Sequence, residues 1–295
     1  MSSKLLFARL KFQPKITHWD SSQNTIQREK ETLLNVISWD IDINANLAPT
    51  NRRYLIKNNV QWKFGGINSE KGYIFGRLAK MKGHVRLIED EKNKDFKQDL
   101  IKEANICNFL IDVKNHIIVY ESKKYVGPKA PIEVISGAFN NYYKNSEEIS
   151  FTLIKDRREI IKRINELDAI TTIKLVLSPS NPHSGPTSKK MDTFLKNLKA
   201  SRMNLEISSD SVHKGGIDLH AEDGFLSSGI RLAEEGYGNA QVKGVPKDKT
   251  KKQQIIIKSV NLPIFVRVEL TKDDEKNIKL LKEKIFEILL ILSEE

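Results

Sequence analysis

Residues 108–143 read NFLIDVKNHIIVYESKKYVGPKAPIEVISGAFNNYY. Phe109 to Val113 and Ile117 to Tyr120 are apolar runs on either side of Lys114-Asn115, the composition of two antiparallel strands joined by a tight turn. A basic step, Lys123-Lys124, leads to Gly127-Pro128, where the second strand must stop. Pro131 opens a helix at its first position, and Ile132, Ile135, Phe139 and Tyr142 continue it at one-turn spacing. Strand, turn, strand and helix in this order belong to an α+β protein.

Working upstream, Leu5 to Leu10 form an apolar opening strand, and Ile26, Leu33, Leu34 and Ile37 fall at helical spacing. Val60, Trp62 and Phe64 alternate with polar residues, and Tyr73, Phe75 and Arg77 follow beyond Gly65-Gly66 as the return strand, which Val85 to Ile88 continue. The charged segment 89–102 is predicted to be helical. The N-terminal half is thus an antiparallel, strand-rich meander.

Downstream, the polar stretch Lys144–Glu148 is the best place for a boundary. It divides a strand-rich domain 1–146 from a mixed α/β domain 147–295, although a stretch without glycine or proline equally allows the halves to share one core. In the second half, 149–154, 172–177, 204–207, 217–219, 239–244, 254–258 and 264–270 read as strands. Residues 156–167, with Ile160, Ile161 and Ile164 inward, read as a helix. So do the helix carrying Met191, Phe194, Leu195 and Leu198, and 222–234, which Gly236 and Gly238 stop. The last helix starts with Thr271 as its predicted cap and acids at 273–275, where the helix dipole favours them. Its stripe of Ile278, Leu281, Ile285 and Ile288 is ordinary, but Phe286, Leu290 and Ile291 put apolar surface on its other faces. A helix apolar all round needs cover on all sides, so self-association into a homodimer through it is expected.

The chain has 295 residues, 39% of them hydrophobic, and a formal charge of +11 carried by both halves. No apolar run reaches the ~20 residues of a membrane helix, and the opening residues lack a signal-peptide core, so a cytoplasmic protein without membrane insertion is expected. A single cysteine, Cys107, excludes an internal disulfide and every Cys-rich zinc site, and its apolar setting suits a small core residue rather than a nucleophile. Phosphate-binding glycine loops and Gly-x-Ser-x-Gly elbows are absent. His213, Asp218, His220, Glu222 and Asp223 cluster without matching a metal-ligand spacing. Asp112 and Glu121-Ser-Lys123 fit the Asp…Glu-x-Lys pattern of metal-dependent nucleases. Yet if the turn pairs Asp112 with Ile117, Glu121 lies ~13 Å further along, too far to share one ion. No catalytic residue, metal ligand or cofactor is therefore expected.

Residues 108–143 together with Ile217-x-Leu219-x-Ala221-x-Asp223, which leads into a helix closed by Glu235-Gly236, resemble the RexA-like phage-exclusion family. The resemblance covers less than a third of the chain. It implies a non-enzymatic, oligomeric, sequence-independent DNA binder of a bacterial or prophage antiviral defence system, with a partner protein of the same operon as a further ligand. The basic composition points the same way, because neutralising phosphates releases counterions. The residues expected to meet the duplex DNA backbone are Lys189, Lys190, Lys247, Lys249, Lys251, Lys252, Arg157 and Arg158. The alternatives are a metal-dependent nuclease using Asp112, Glu121 and Lys123, and a non-catalytic scaffold that binds only protein.

Overall fold

The computed structural model describes residues 2–14, 25–38, 43–44, 61–90, 95–143, 147–181, 189–210, 216–247 and 254–293, with residues 83–102 described by their backbone alone. The fold is organised around the opening strand, β1 (Ser3–Pro14). Leu5 and Phe7 are buried on one of its faces and Leu6, Ala8 and Leu10 on the other, so both faces must be covered, as in any strand that reads as a continuous apolar run. One edge of β1 pairs with β6 (Ile117–Ser122). The other edge is shared end to end by β12 (Phe265–Val268), opposite residues 3–6, and β7 (Glu147–Leu153), opposite residues 8–14. Beyond β6 the sheet continues through β5 (Asp95–Asp112), β4 (Tyr73–Asp90), β3 (Gln61–Glu70) and β2 (Ile43–Asn44). Each of these strand pairings is antiparallel.

The hairpin has the expected register, with Asp112 opposite Ile117 and Phe109 opposite Tyr120. Among the described residues of 89–102, the predicted helix is replaced by strand. The described part of that segment extends β4 and β5, whose pairing runs unbroken from Tyr73 opposite Asp112 to Asp90 opposite Asp95. A ladder already nucleated by the apolar end of the hairpin outweighs the weak helix preference of Lys and Glu.

Helices α1 (Thr25–Val36) and α2 (Ala130–Tyr142) cover one face, packing Leu33, Val36, Ile135 and Phe139 against Leu6, Leu10, Phe109 and Tyr120. The last helix, here named α6 (Asp274–Ser293), covers the other with Ile278, Leu281, Ile285 and Ile288 against Leu5, Phe7, Leu110 and Val119. Its N-terminus is capped by Asp273, which accepts from the backbone N–H groups of Glu275 and Lys276, rather than by Thr271. Thr271 instead accepts from the Asp273 N–H.

A second antiparallel sheet, in the order β11-β10-β8-β9, comprises β8 (Leu167–Leu177), β9 (Met203–Ser208), β10 (Gly238–Pro246) and β11 (Ile255–Lys258). It packs with α3 (Arg157–Asn165), α4 (Lys189–Asn197) and α5 (Ala221–Leu232) through Ile160, Leu175, Met191, Leu195, Leu226 and Ile230. Residues 217–219 do not make a strand; Gly216 forms a single parallel bridge with Ile170. Ile161, Phe194 and Leu198 lie on the exposed sides of their helices. The protein is α+β, and the described strands of residues 1–146 share one sheet with β7 and β12 of the second half. The smaller sheet is an insertion between those two strands.

Candidate functional site

The chain enters and leaves the smaller sheet through one neck. Going in, Ile154 donates its N–H to Phe7 O at 2.9 Å and Asp156 to Leu262 O at 2.8 Å; coming out, Ile264 donates to Ile154 O at 3.0 Å. Asp156 then caps α3, its side chain accepting from the Glu159 N–H at 3.1 Å, which fixes Arg157 and Arg158 in the first helical turn beside the neck.

The second wall comes from the end of α5. Its last turn widens over Ala233–Tyr237 and closes at Gly236, where φ is +92°. A Cβ there would sit 2.6 Å from Arg9 Cβ, so this backbone requires glycine both for its angle and for the close approach of β1. Such widened turns recur at functional sites. This one turns Glu234 and Glu235 inward beside Arg231. With Ile264, and with Ile291 and Leu292 from α6, these residues and Lys155, Arg157 and Arg158 line a cavity of about 140 Å³.

Four charged side chains at the neck, Arg9, Lys155, Glu234 and Glu235, are almost fully buried. The Nε of Arg9 donates to Glu235 O at 3.1 Å and its Nη1 to Asn115 O at 3.0 Å, and its guanidinium lies 5.0 Å from the centre of the Tyr237 ring, so this one residue ties the two sheets together. The Nζ of Lys155, 1% exposed, donates to Gly238 O at 2.5 Å. Burial lowers the Lys155 pKa to about 7 against the opposing pull of Glu234. Burial likewise raises the Glu234 pKa to about 8, opposed by Arg157 and Arg231 and assisted by Glu235. A lysine and a glutamate side by side thus both change charge near neutral pH. The arrangement can hold or move a proton, or hold a compact charged group against the arginines.

The residues expected from the sequence separate into three sets. Arg157 and Arg158 are at the cavity, with Arg157 Nε 3.9 Å from Glu234 Oε2. Lys247 is exposed, and its N–H donates to Glu166 O at 2.9 Å, which seats it at the far end of α3. Lys162 and Arg163 occupy the last turn of that helix. Arg157, Arg158, Lys162, Arg163 and Lys247 therefore follow a single helix of nine residues, ~13 Å long at 1.5 Å per residue. Lys189 and Lys190 are exposed at the start of α4, outside the cavity lining. Lys249, Lys251 and Lys252 lie outside the described residues. Arg9, Arg231, Glu234 and Glu235 reach the site with no local signal, since only the fold makes them neighbours.

The nuclease-like carboxylates are engaged structurally. Asp112 accepts from the N–H and Nδ2 of Asn115 at 3.0 and 2.7 Å, closing the hairpin turn. Glu121 accepts from Ser3 Oγ at 2.6 Å and from Asn108 N and Nδ2 at 3.1 and 2.9 Å, with Lys123 Nζ at 3.2 Å. Among the described residues, no group of three His, Cys, Asp or Glu is placed to hold a metal ion. Cys107 is fully buried with its thiol pushed up to about 12 by desolvation, the state of an inert core residue. No described helix is long and apolar enough to cross a membrane.

Residues 62–285 match the family described as Domain of unknown function (DUF4747), and the chain belongs to that family. The match begins in β3 and ends in α6, so it takes in the whole smaller sheet and the strands on either side of it, but not β1 or the last turns of α6. No curated protein matches the chain.

Proposed function

We propose that the protein binds the phosphate backbone of nucleic acid, duplex DNA in the first instance, by charge and without reading sequence. The carrying observation is the basic ridge of α3, on which Arg158, Lys162 and Arg163 are exposed, with Lys247 exposed at its end. Glu159, ion-paired with Arg163 at 2.8 Å, and Glu166, exposed at the C-cap, are acids along this row. The net charge of +11 supports the same reading, since each phosphate neutralised releases counterions. Abortive exclusion of phage is the setting proposed from the family resemblance.

Fluorescence anisotropy of a labelled duplex over a salt series tests the reading. Log affinity falls linearly with log salt at roughly −0.9 per phosphate neutralised, equally for unrelated sequences. Alanine at Arg158, Lys162 and Lys247 weakens all duplexes alike and makes the slope shallower by roughly one for each phosphate that is no longer neutralised. No binding at low salt, or an unchanged slope in the triple variant, overturns it.

A further inference from the structure

On the N-terminal side of the neck, at the beginning of β1, a second surface combines cations with exposed aromatic rings. The hydrogen-bond register aligns Ser122 of β6, Lys4 of β1 and Arg267 of β12 in one row, and Tyr120, Leu6 and Phe265 in the next row on the same face. At ~4.8 Å per strand these rows are ~10 Å wide. The loop after β6 folds over this face. Val126 is buried in the core beneath it, and Tyr120 Oη donates to Pro128 O at 2.9 Å. Two N–H groups, of Val126 and Gly127, donate to Lys123 O at 3.2 and 2.9 Å and make the loop a compact turn. Its tip displays Lys123, Lys124, Tyr125 and Lys129, with Tyr125 69% exposed. Across the rows Phe265 is 47% exposed, with Lys4 Nζ 4.2 Å from its ring centre. The exposed acids nearby are Glu133, in the first turn of α2, and Glu269, just after β12.

Resting on the proposed nucleic-acid reading, we infer that this face is a platform for single-stranded nucleic acid, with Tyr125 and Phe265 stacking on unpaired bases and Lys4, Lys124, Lys129 and Arg267 following the backbone. Large aromatic rings left in water cost solvation that a bound base recovers, and a ring stacks on any base whatever its identity. The bases of a duplex are already stacked on one another, so the rings add affinity only where a strand is open. The platform thereby confers a preference that the α3 ridge, a row of point charges, cannot supply. It fits a protein that meets DNA in which strands have separated.

The test compares a labelled oligothymidylate with a duplex of equal length, using the full chain. Alanine at both Tyr125 and Phe265 weakens oligothymidylate binding roughly ten-fold or more, while duplex affinity stays within about two-fold and confirms that the variant is folded. Phenylalanine at Tyr125 retains the wild-type preference, because the ring is kept. Unchanged oligothymidylate binding in the double alanine variant overturns the platform and leaves the backbone reading standing. Wild-type protein that binds the duplex but not oligothymidylate does the same. Wild-type protein that binds neither overturns both, and equal losses on both ligands overturn the platform by showing that the face is a general charge surface.

Discussion

The hairpin and the neck both bury carboxylates, and the two regions use them in opposite ways. On the hairpin, Asp112 and Glu121 are 1% and 2% exposed, yet their oxygens are occupied by donors from neighbouring turns and strands. At the neck, Glu234 is buried to a similar degree, but its partners are arginines at longer range and a lysine that is itself desolvated. The first pair has the sequence spacing of a catalytic motif and acts as structural glue. The second has no motif and holds groups poised to change charge near neutrality. A buried carboxylate whose oxygens are met by nearby donors holds turns and strands together, whereas desolvation shifts Glu234 and Lys155, and perturbed groups lining a cavity are the better candidates for function.

The largest expected effect comes from filling the neck. Gly236→Ala forces a Cβ into Arg9 at a positive φ, and a loss of roughly 3 kcal/mol or more is expected in urea unfolding. A loss below about 1 kcal/mol would mean that the two sheets are not rigidly joined there.

The next effect concerns pH. Glu234 holds its proton up to about 8 when folded but only to its ordinary 4.5 when unfolded, so the stability it contributes is lost as pH rises across that interval. Lys155 loses its proton above about 7 when folded and above 10.5 when unfolded, so its contribution grows as pH rises from 7. Together they place a stability minimum between about 7 and 8, where the two slopes overlap and oppose each other. In Glu234→Gln the falling limb disappears, and the variant gains on the wild type, on the order of a few kcal/mol, as pH is raised from 5 toward 8. Parallel stability curves for the two proteins would erase the contrast between the neck and the hairpin.

Asp112→Ala sharpens the other side of the comparison. It leaves the Asn115 donors unmatched at a turn and is expected to cost about 1–3 kcal/mol in denaturant melts, with duplex binding intact. Magnesium- or manganese-dependent DNA cleavage by the wild type, abolished in both Asp112→Ala and Glu121→Ala, would reverse the assignment and make the hairpin the active centre.

The smallest energetic effect is at the outer side of α6, where Phe286 and Leu290 are 62% and 49% exposed while Ile291 turns toward the cavity. Leu290→Glu should change folding stability by no more than about 0.5 kcal/mol. Sedimentation then tests the self-association expected from the apolar circumference of this helix. A shift to lower mass in the variant supports it, and equal masses refute it.

The apolar hairpin 109–120, the helix behind Pro131, the α+β class, the inert Cys107 and the exposed Phe286 and Leu290 of α6 are legible in the amino-acid sequence, whereas the covered Ile291 is not. Each depends on hydrophobic period or turn chemistry over a dozen residues, which the chain carries locally. Residues 89–102 read as helix because their charged composition says nothing about the ladder that extends into them from the apolar end of the hairpin. Arg157 and Arg158 stand out in the sequence as part of a cationic cluster, but not as the wall of a cavity. That requires β1 to share one edge between β7 and β12, which closes the neck, and Gly236 to turn α5 onto Arg9. Strand partnership over more than a hundred residues is set by which faces and edges bury together, a property of the whole folded chain, and the shifts of Lys155 and Glu234 follow first from that burial and then from the charges it brings beside them.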